Sequence, residues 1–172
     1  MKFRFLYLTT LFFVSLLKPQ EGLVYHVPIQ GTIDMGLPHF IQRGVDEAEE
    51  NNADAIIFDI DTFGGRIDAA TAIKDIILDT KILTIAFINK RAISAGALIS
   101  LSCDSIFMTP GASIGAATAV DIKGEKASEK VISYMREEMA STAEANKRSR
   151  VIAAAMVDEE LLIPYFLNID GD

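Results

Sequence analysis

The chain has 172 residues, half of them apolar, with 16 basic against 24 acidic side chains and a formal net charge of −8. That acidity argues against nucleic-acid binding, which needs a basic surface, and a single cysteine excludes an internal disulfide. No paired histidine or cysteine spacing offers a metal site, and no motif asks for a cofactor.

At the N-terminus, Met1-Lys2-Phe3-Arg4 supplies positive charge, and Phe5 to Leu17 is a mostly apolar run before Lys18-Pro19-Gln20. This is the layout of a secretory signal. The run is shorter than the roughly 20 residues that span a bilayer, and no clear Ala-x-Ala site follows it. Residues 1–20 therefore read as a signal peptide or a short uncleaved anchor, with both outcomes open. In either case residues 21–172 are expected as one exported domain on the periplasmic or extracytoplasmic side, membrane-associated where the anchor is kept. Roughly 150 residues is an ordinary size for a single core.

Apolar segments near 23–29, 55–60, 82–88 and 105–108 read as strands. Helical periods separate them, one from about Pro38 to Asn51 and another from Ile67 to Leu78 through Ala70, Ile73 and Ile77. Alternation of this kind predicts a mostly parallel sheet with right-handed crossover helices. The near-continuous run from Ile82 to Ile88 has the character of a strand buried on both faces. Ala95 to Leu101 suits a short buried helix, and Glu125 to Val157 reads as a helical layer broken near Asn146 to Ser149. His26 on the first strand, His39 at the start of the first helix and Cys103 among leucine and isoleucine read as structural residues.

Three segments carry possible chemistry. In Ala92-Ile93-Ser94-Ala95-Gly96-Ala97 a serine stands between an apolar strand and a small-residue helix. Unpaired N–H groups and the positive dipole end at such a helix start favour a developing negative charge; a plain N-cap is the alternative. In Asp61-Thr62-Phe63-Gly64-Gly65-Arg66-Ile67-Asp68, a Gly-Gly pair at a strand's end lets a ligand approach the main chain closely, or simply makes a tight turn. The third segment, Met108-Thr109-Pro110-Gly111-Ala112-Ser113-Ile114-Gly115-Ala116-Ala117, follows another short strand. Three strands ending in such loops would gather them at one sheet edge, where open α/β sheets bind ligands.

In these three motifs, in their order and spacing, the chain resembles the NfeD-type membrane-associated serine proteases. These are the stomatin-operon partner proteins of the ClpP/crotonase-like superfamily. The resemblance runs from about Val24 to Pro164 and departs at Phe63, where the family usually carries proline. It implies a ClpP/crotonase-like α/β fold with a helical layer after the Gly-rich loop, and a serine endopeptidase with Ser94 as nucleophile. A ClpP-like triad would place its histidine downstream of Ser94, but both histidines lie upstream. The family's base is instead a lysine at the start of the helix after the Gly-rich loop, a register that falls on Lys130, with Lys126 one helical turn earlier as the alternative. A lysine serves only after desolvation has pulled its proton off near neutral pH. Without the resemblance, Lys130 would read as a solvated helix lysine. The implied oxyanion hole uses the N–H groups of Gly65 and Ala95, and the implied substrate contacts are Gly64, Gly111, Ile114 and Gly115. The implied substrate is a peptide or membrane protein cleaved in apolar segments, with a stomatin-like protein as partner, and the helical layer would make a homo-oligomer.

Family protease domains normally continue with a further strand and helix, and longer members add membrane spans and a small barrel. This chain stops at Ile169-Asp170-Gly171-Asp172 and so looks C-terminally short. Two other functions fit the same fold: a crotonase-like acyl-CoA enzyme and a catalytically silent assembly fragment. The first needs an acidic residue in the Gly-rich loop region, which is not evident, and export separates it from cytoplasmic coenzyme A.

Overall fold

The computed structural model describes residues 22–120 and 123–161, so the expected signal or anchor and the C-terminal end lie outside the described residues. Within them the elements run β1 (Val24–Ile33), α1 (Leu37–Glu50), β2 (Ala55–Gly65), α2 (Ile67–Asp79), β3 (Leu83–Ile93), α3 (Ala95–Ser102), β4 (Ser105–Met108), β5 (Ser113–Gly115), α4 (Glu129–Ala145) and α5 (Arg150–Ala155). The order across the sheet is β1-β2-β3-β4, and every pairing of these strands is parallel. β4 pairs with Ile85 to Ile88 and β5 with Arg91 to Ile93, so the two short strands follow one another along the same edge of β3.

The strands outrun the apolar segments that announce them. β2 continues through the Gly-Gly pair, with Thr32 opposite Gly64 and Ile33 opposite Gly65. β3 continues through polar Asn89-Lys90-Arg91. The apolar segments end before these stretches, but a neighbouring backbone continues each ladder and pairs the main chain whatever the side chains are. Bulges between Gln30 and Thr32 and between Ile60 and Thr62 absorb the register changes. β5 lies inside the Gly-rich segment and is too short to show a period.

The expectation of a sheet buried on both faces needs correction. Val27, Ile29, Phe58, Ile60, Ala86 and Ile88 form one fully covered face. Gly44 of α1 packs on it against Val27, and Gly96 of α3 packs against Thr62 and Ile60. On the opposite face Ile57, Ile85 and Phe87 are only half-buried and Phe107 is exposed, among the described residues. Continuous apolar runs therefore arose here from one buried and one partly covered face.

The helical layer starts later than its pattern suggests. Ahead of α4, Val120 pairs with Lys126 in an isolated antiparallel bridge, and the Ala127 N–H donates to the Ala119 carbonyl at 2.9 Å. The break between α4 and α5 is useful to the fold. There Arg148 donates to the carbonyls of Leu101 (3.1 Å), Cys103 (2.8 Å) and Asp104 (2.9 Å), closing the C-terminal end of α3. Cys103 is fully buried, and burial pushes its thiol well above the ordinary range.

Candidate active site

Ser94 is the only residue between β3 and α3, and it makes the whole change of direction at φ +55° and ψ −117°. A non-glycine residue at positive φ is uncommon and costs on the order of 1–3 kcal/mol. The ordinary reason for a serine here, an N-cap, does not hold: its backbone lies outside the capping region and its side chain makes no capping hydrogen bond. The Ser94 N–H instead donates to the Gly115 carbonyl at 2.8 Å, so the end of β5 holds the turn in place. All eight residues of α3 are buried. This buried helix therefore begins, with its first N–H groups and positive dipole end, at the residue after the serine.

The two glycines of β2 have different neighbours. Gly64, at φ +103°, passes so close to the serine that a Cβ on it would stand 2.7 Å from Ser94 Cβ and 3.2 Å from the Ala95 nitrogen. A Cβ on Gly65 would instead overlap the backbone of Ile33, whose carbonyl also accepts the Arg66 N–H at 2.8 Å. The close approach that the Gly-Gly pair permits is thus, on the Gly65 Cβ side, an approach of the chain's own β1. Beneath them, buried Thr62 donates its hydroxyl to the Gly31 carbonyl at 2.5 Å and accepts the Gly64 N–H at 2.9 Å. Sequence reasoning passed over Thr62; its one signal is that an alternating strand turns it to the same face as buried Ile60.

Gly65 and Lys130 share a groove of about 1210 Å³ between the ends of β1 and β2 and the first turn of α4. Lys130 is exposed in it, in company with Ile67, Val120, Val131 and the ring of Tyr134. Ser94 is not among the groove's lining residues, and no hydrogen bond joins it to Lys130 among the described residues. Lys126 precedes α4 in the bridge to Val120, so it does not share a helical face with Lys130.

The remaining sequence-derived positions lie on β5 and in the turn before it. Gly115 is the acceptor for Ser94; Gly111 shapes the exposed turn before β5 at φ +82°; Ile114 lines a separate apolar cavity of about 270 Å³ with Leu101, Met108 and Met156. His26 is exposed and pairs with Asp59 at 3.3 Å, and His39 is exposed on α1. At the rim, the Arg91 guanidinium lies 4.5 Å from the Phe63 ring centroid while its Nε meets Asp61 at 3.0 Å. Arg66 donates to Asp68 at 3.0 and 2.6 Å; the hydrogen bond holds the Asp68 carboxyl below its usual range and the Arg66 guanidinium above its own. Asp68 also accepts the Ala69 N–H, as a helix-start charge pair does.

Residues 23–172 match the family described as NfeD1b, N-terminal domain. The chain is 39% identical over 144 residues to the membrane protein NfeD1b of Bacillus subtilis, an alignment covering 84% of this chain and 33% of that protein. It is 32% identical over 149 residues to the membrane-bound protease PH1510 of Pyrococcus horikoshii, covering 82% and 34%. The chain thus spans about a third of the length of these two curated relatives, both named as membrane proteins. Among solved structures it is similar to the 1510-N membrane-bound stomatin-specific protease. A serine-to-alanine variant of that protein superposes with a TM-score of 0.76 at 32% identity, covering 81% of this chain and 72% of that one. A lysine-to-alanine variant in complex with a substrate peptide gives the same TM-score and identity, covering 83% and 68%. ClpP1 from Listeria monocytogenes shares the fold, with a TM-score of 0.63 at 24% identity over 84% of this chain and 83% of that one. The chain has a ClpP-like α/β fold and belongs to the NfeD1b N-terminal domain family.

Proposed function

We propose that this chain is the protease portion of an NfeD-type serine endopeptidase working through a Ser94/Lys130 dyad. The observation that carries the reading is the backbone of Ser94: a serine held at positive φ, with no capping role, at the start of a wholly buried helix. A strained conformation with no structural reward fits a hydroxyl kept for chemistry. The relative's solved variants replace one serine and one lysine, the same pair of residue types.

In this reading neutral Lys130 takes the proton of the Ser94 hydroxyl while Oγ attacks the peptide carbonyl carbon. The N–H groups of Gly65 and Ala95 hold the resulting oxyanion, each donor worth roughly 3 kcal/mol. Collapse breaks the C–N bond as the Lys130 ammonium returns the proton to the leaving amine. A water molecule, deprotonated in turn by Lys130, then releases the acyl group. Gly64, Gly111, Ile114 and Gly115 would line the path of the peptide. A peptide laid along the groove over exposed Lys130 would also exclude water from the amine, which favours its neutral form.

The groove's apolar companions, Ile67, Val120 and Val131, suit apolar segments of membrane-associated proteins, and the stomatin specificity named for the relative suggests stomatin-like substrates. Residues 1–20 as signal or anchor, residues 21–172 as one exported domain, and assembly into a homo-oligomer complete the proposal. No helix among the described residues is long and apolar enough to cross a membrane. The test is labelling with a serine-reactive fluorophosphonate: the chain should be labelled, while Ser94→Ala and Lys130→Ala should not. Equal labelling of Ser94→Ala would end the proposal.

A further inference from the structure

Lys130, Tyr134 and Glu138 follow one another at intervals of four, and so form a single stripe along α4. The side chains that α4 buries are others, Ile132, Met135 and Met139 among them, so this stripe lies on the helix flank rather than in the core. Across the groove, α2 answers with Thr71 and Lys74. Two polar rungs join the helices: Thr71 Oγ1 and the Tyr134 hydroxyl stand 3.3 Å apart, and Lys74 Nζ donates to Glu138 Oε2 at 3.0 Å. The second rung is sheltered, with side-chain exposures of 13% for Lys74 and 20% for Glu138, which sets it apart from the exposed ion pairs elsewhere on the surface. Asp75 takes the other side of the Lys74 ammonium at 2.8 Å. Burial would pull that ammonium down, but the hydrogen bonds and charges of the two carboxylates outweigh it and leave it above its usual range. Lys74 thus stays charged and acts as a tether.

We infer that Lys74 is a positioning residue for Lys130, working through a clamp in which Thr71–Tyr134 and Lys74–Glu138 fix the second and third turns of α4 against α2. The inference rests on the Ser94/Lys130 reading above. Its logic is geometric. α2 starts two residues after Gly65, so it moves with the backbone offered as oxyanion donor. α4 carries the base; its first turns bury Ile132 and Met135 in the core and follow directly on the short Val120–Lys126 bridge segment, and the two rungs to α2 hold the flank that bears Lys130. Tying the stripe to α2 therefore sets the distance between the base and the site on β2. A loss of register of about 1 Å in a catalytic group can cost on the order of a hundredfold in rate.

The test is a double-mutant cycle on the full 172-residue chain, read as kcat and KM for an apolar peptide together with the thermal midpoint. Lys74→Met should lower kcat by about tenfold or more with KM little changed. Because Lys74 acts through Lys130, the same substitution in a Lys130→Ala background should lower the residual rate no further. Lys74→Arg, which keeps a cation between Asp75 and Glu138, should retain most of the kcat that Lys74→Met loses. An equal additional fall in the Lys130→Ala background, or a fall in kcat that tracks the thermal midpoint across all variants, would mean that the pair only supports the fold, and would overturn the inference. Full activity in Lys130→Ala itself would instead sink the dyad reading, so the two failures are distinguishable.

Discussion

Gly64 and Ser94 are packed so closely that any side chain on the glycine would meet the serine, with 2.7 Å between the would-be Cβ and Ser94 Cβ. Gly65 faces the backbone of Ile33 instead. The two glycines should therefore fail differently. Gly64→Ala should cut kcat on the order of tenfold to a hundredfold, since it displaces the nucleophile, and add strain at φ +103° of about 1–3 kcal/mol. Gly65→Val should instead destabilise the chain by about 3 kcal/mol by prying β1 from β2. Urea midpoints measured beside the kcat of the folded fraction separate the two; full turnover in folded Gly64→Ala would show that the glycine does not set the position of the serine.

Ser94→Ala should abolish peptide cleavage and leave stability within about 0.5 kcal/mol of the parent, because the hydroxyl makes no cap. Ser94→Gly should be equally inactive yet more stable by about 1 kcal/mol, since glycine adopts φ +55° without steric cost. A drop in the thermal midpoint of the glycine variant would contradict the strained-turn account.

Lys130→Arg should be inactive despite keeping its charge, because a guanidinium does not release its proton in proteins. His26→Ala and His39→Ala should retain most activity: both side chains are exposed, and His26 pairs only with Asp59 among the described residues. Steady-state rates on one apolar peptide decide the matter, and an essential histidine would replace the dyad with another base.

Cys103 gives a pH signature. Its buried thiol is raised in the folded state, so the unfolded chain loses this proton first as pH rises through the thiol's ordinary value of about 8.5. The unfolded state then binds fewer protons than the folded one. Stability should accordingly be intact below that pH and fall above it, by up to about 1.4 kcal/mol per pH unit. Cys103→Ala should remove this slope relative to the parent, and native Cys103 should resist iodoacetamide until the chain unfolds. Rapid alkylation of the folded chain would show that the thiol is not sealed.

The order of strands and helices was legible in the residues because it depends on short-range patterns: apolar runs for β1 to β4, a 3.6 period for α1 and α2, and small residues for α3. The motif around Ser94 was legible for the same reason, its strand, serine and helix being contiguous. The extent of β2 and β3, and the existence of β5, depend on a partner backbone that local composition does not encode. The same holds for Thr62, whose hydroxyl joins Gly31 to Gly64 across two strands. Tertiary structure alone decided that Gly64 rather than Gly65 packs against the serine, that Ser94 carries strain instead of a cap, and that Lys130 stands exposed on a stripe tethered to Lys74. Each is a contact between segments tens of residues apart, fixed by packing geometry that no single stretch of sequence contains.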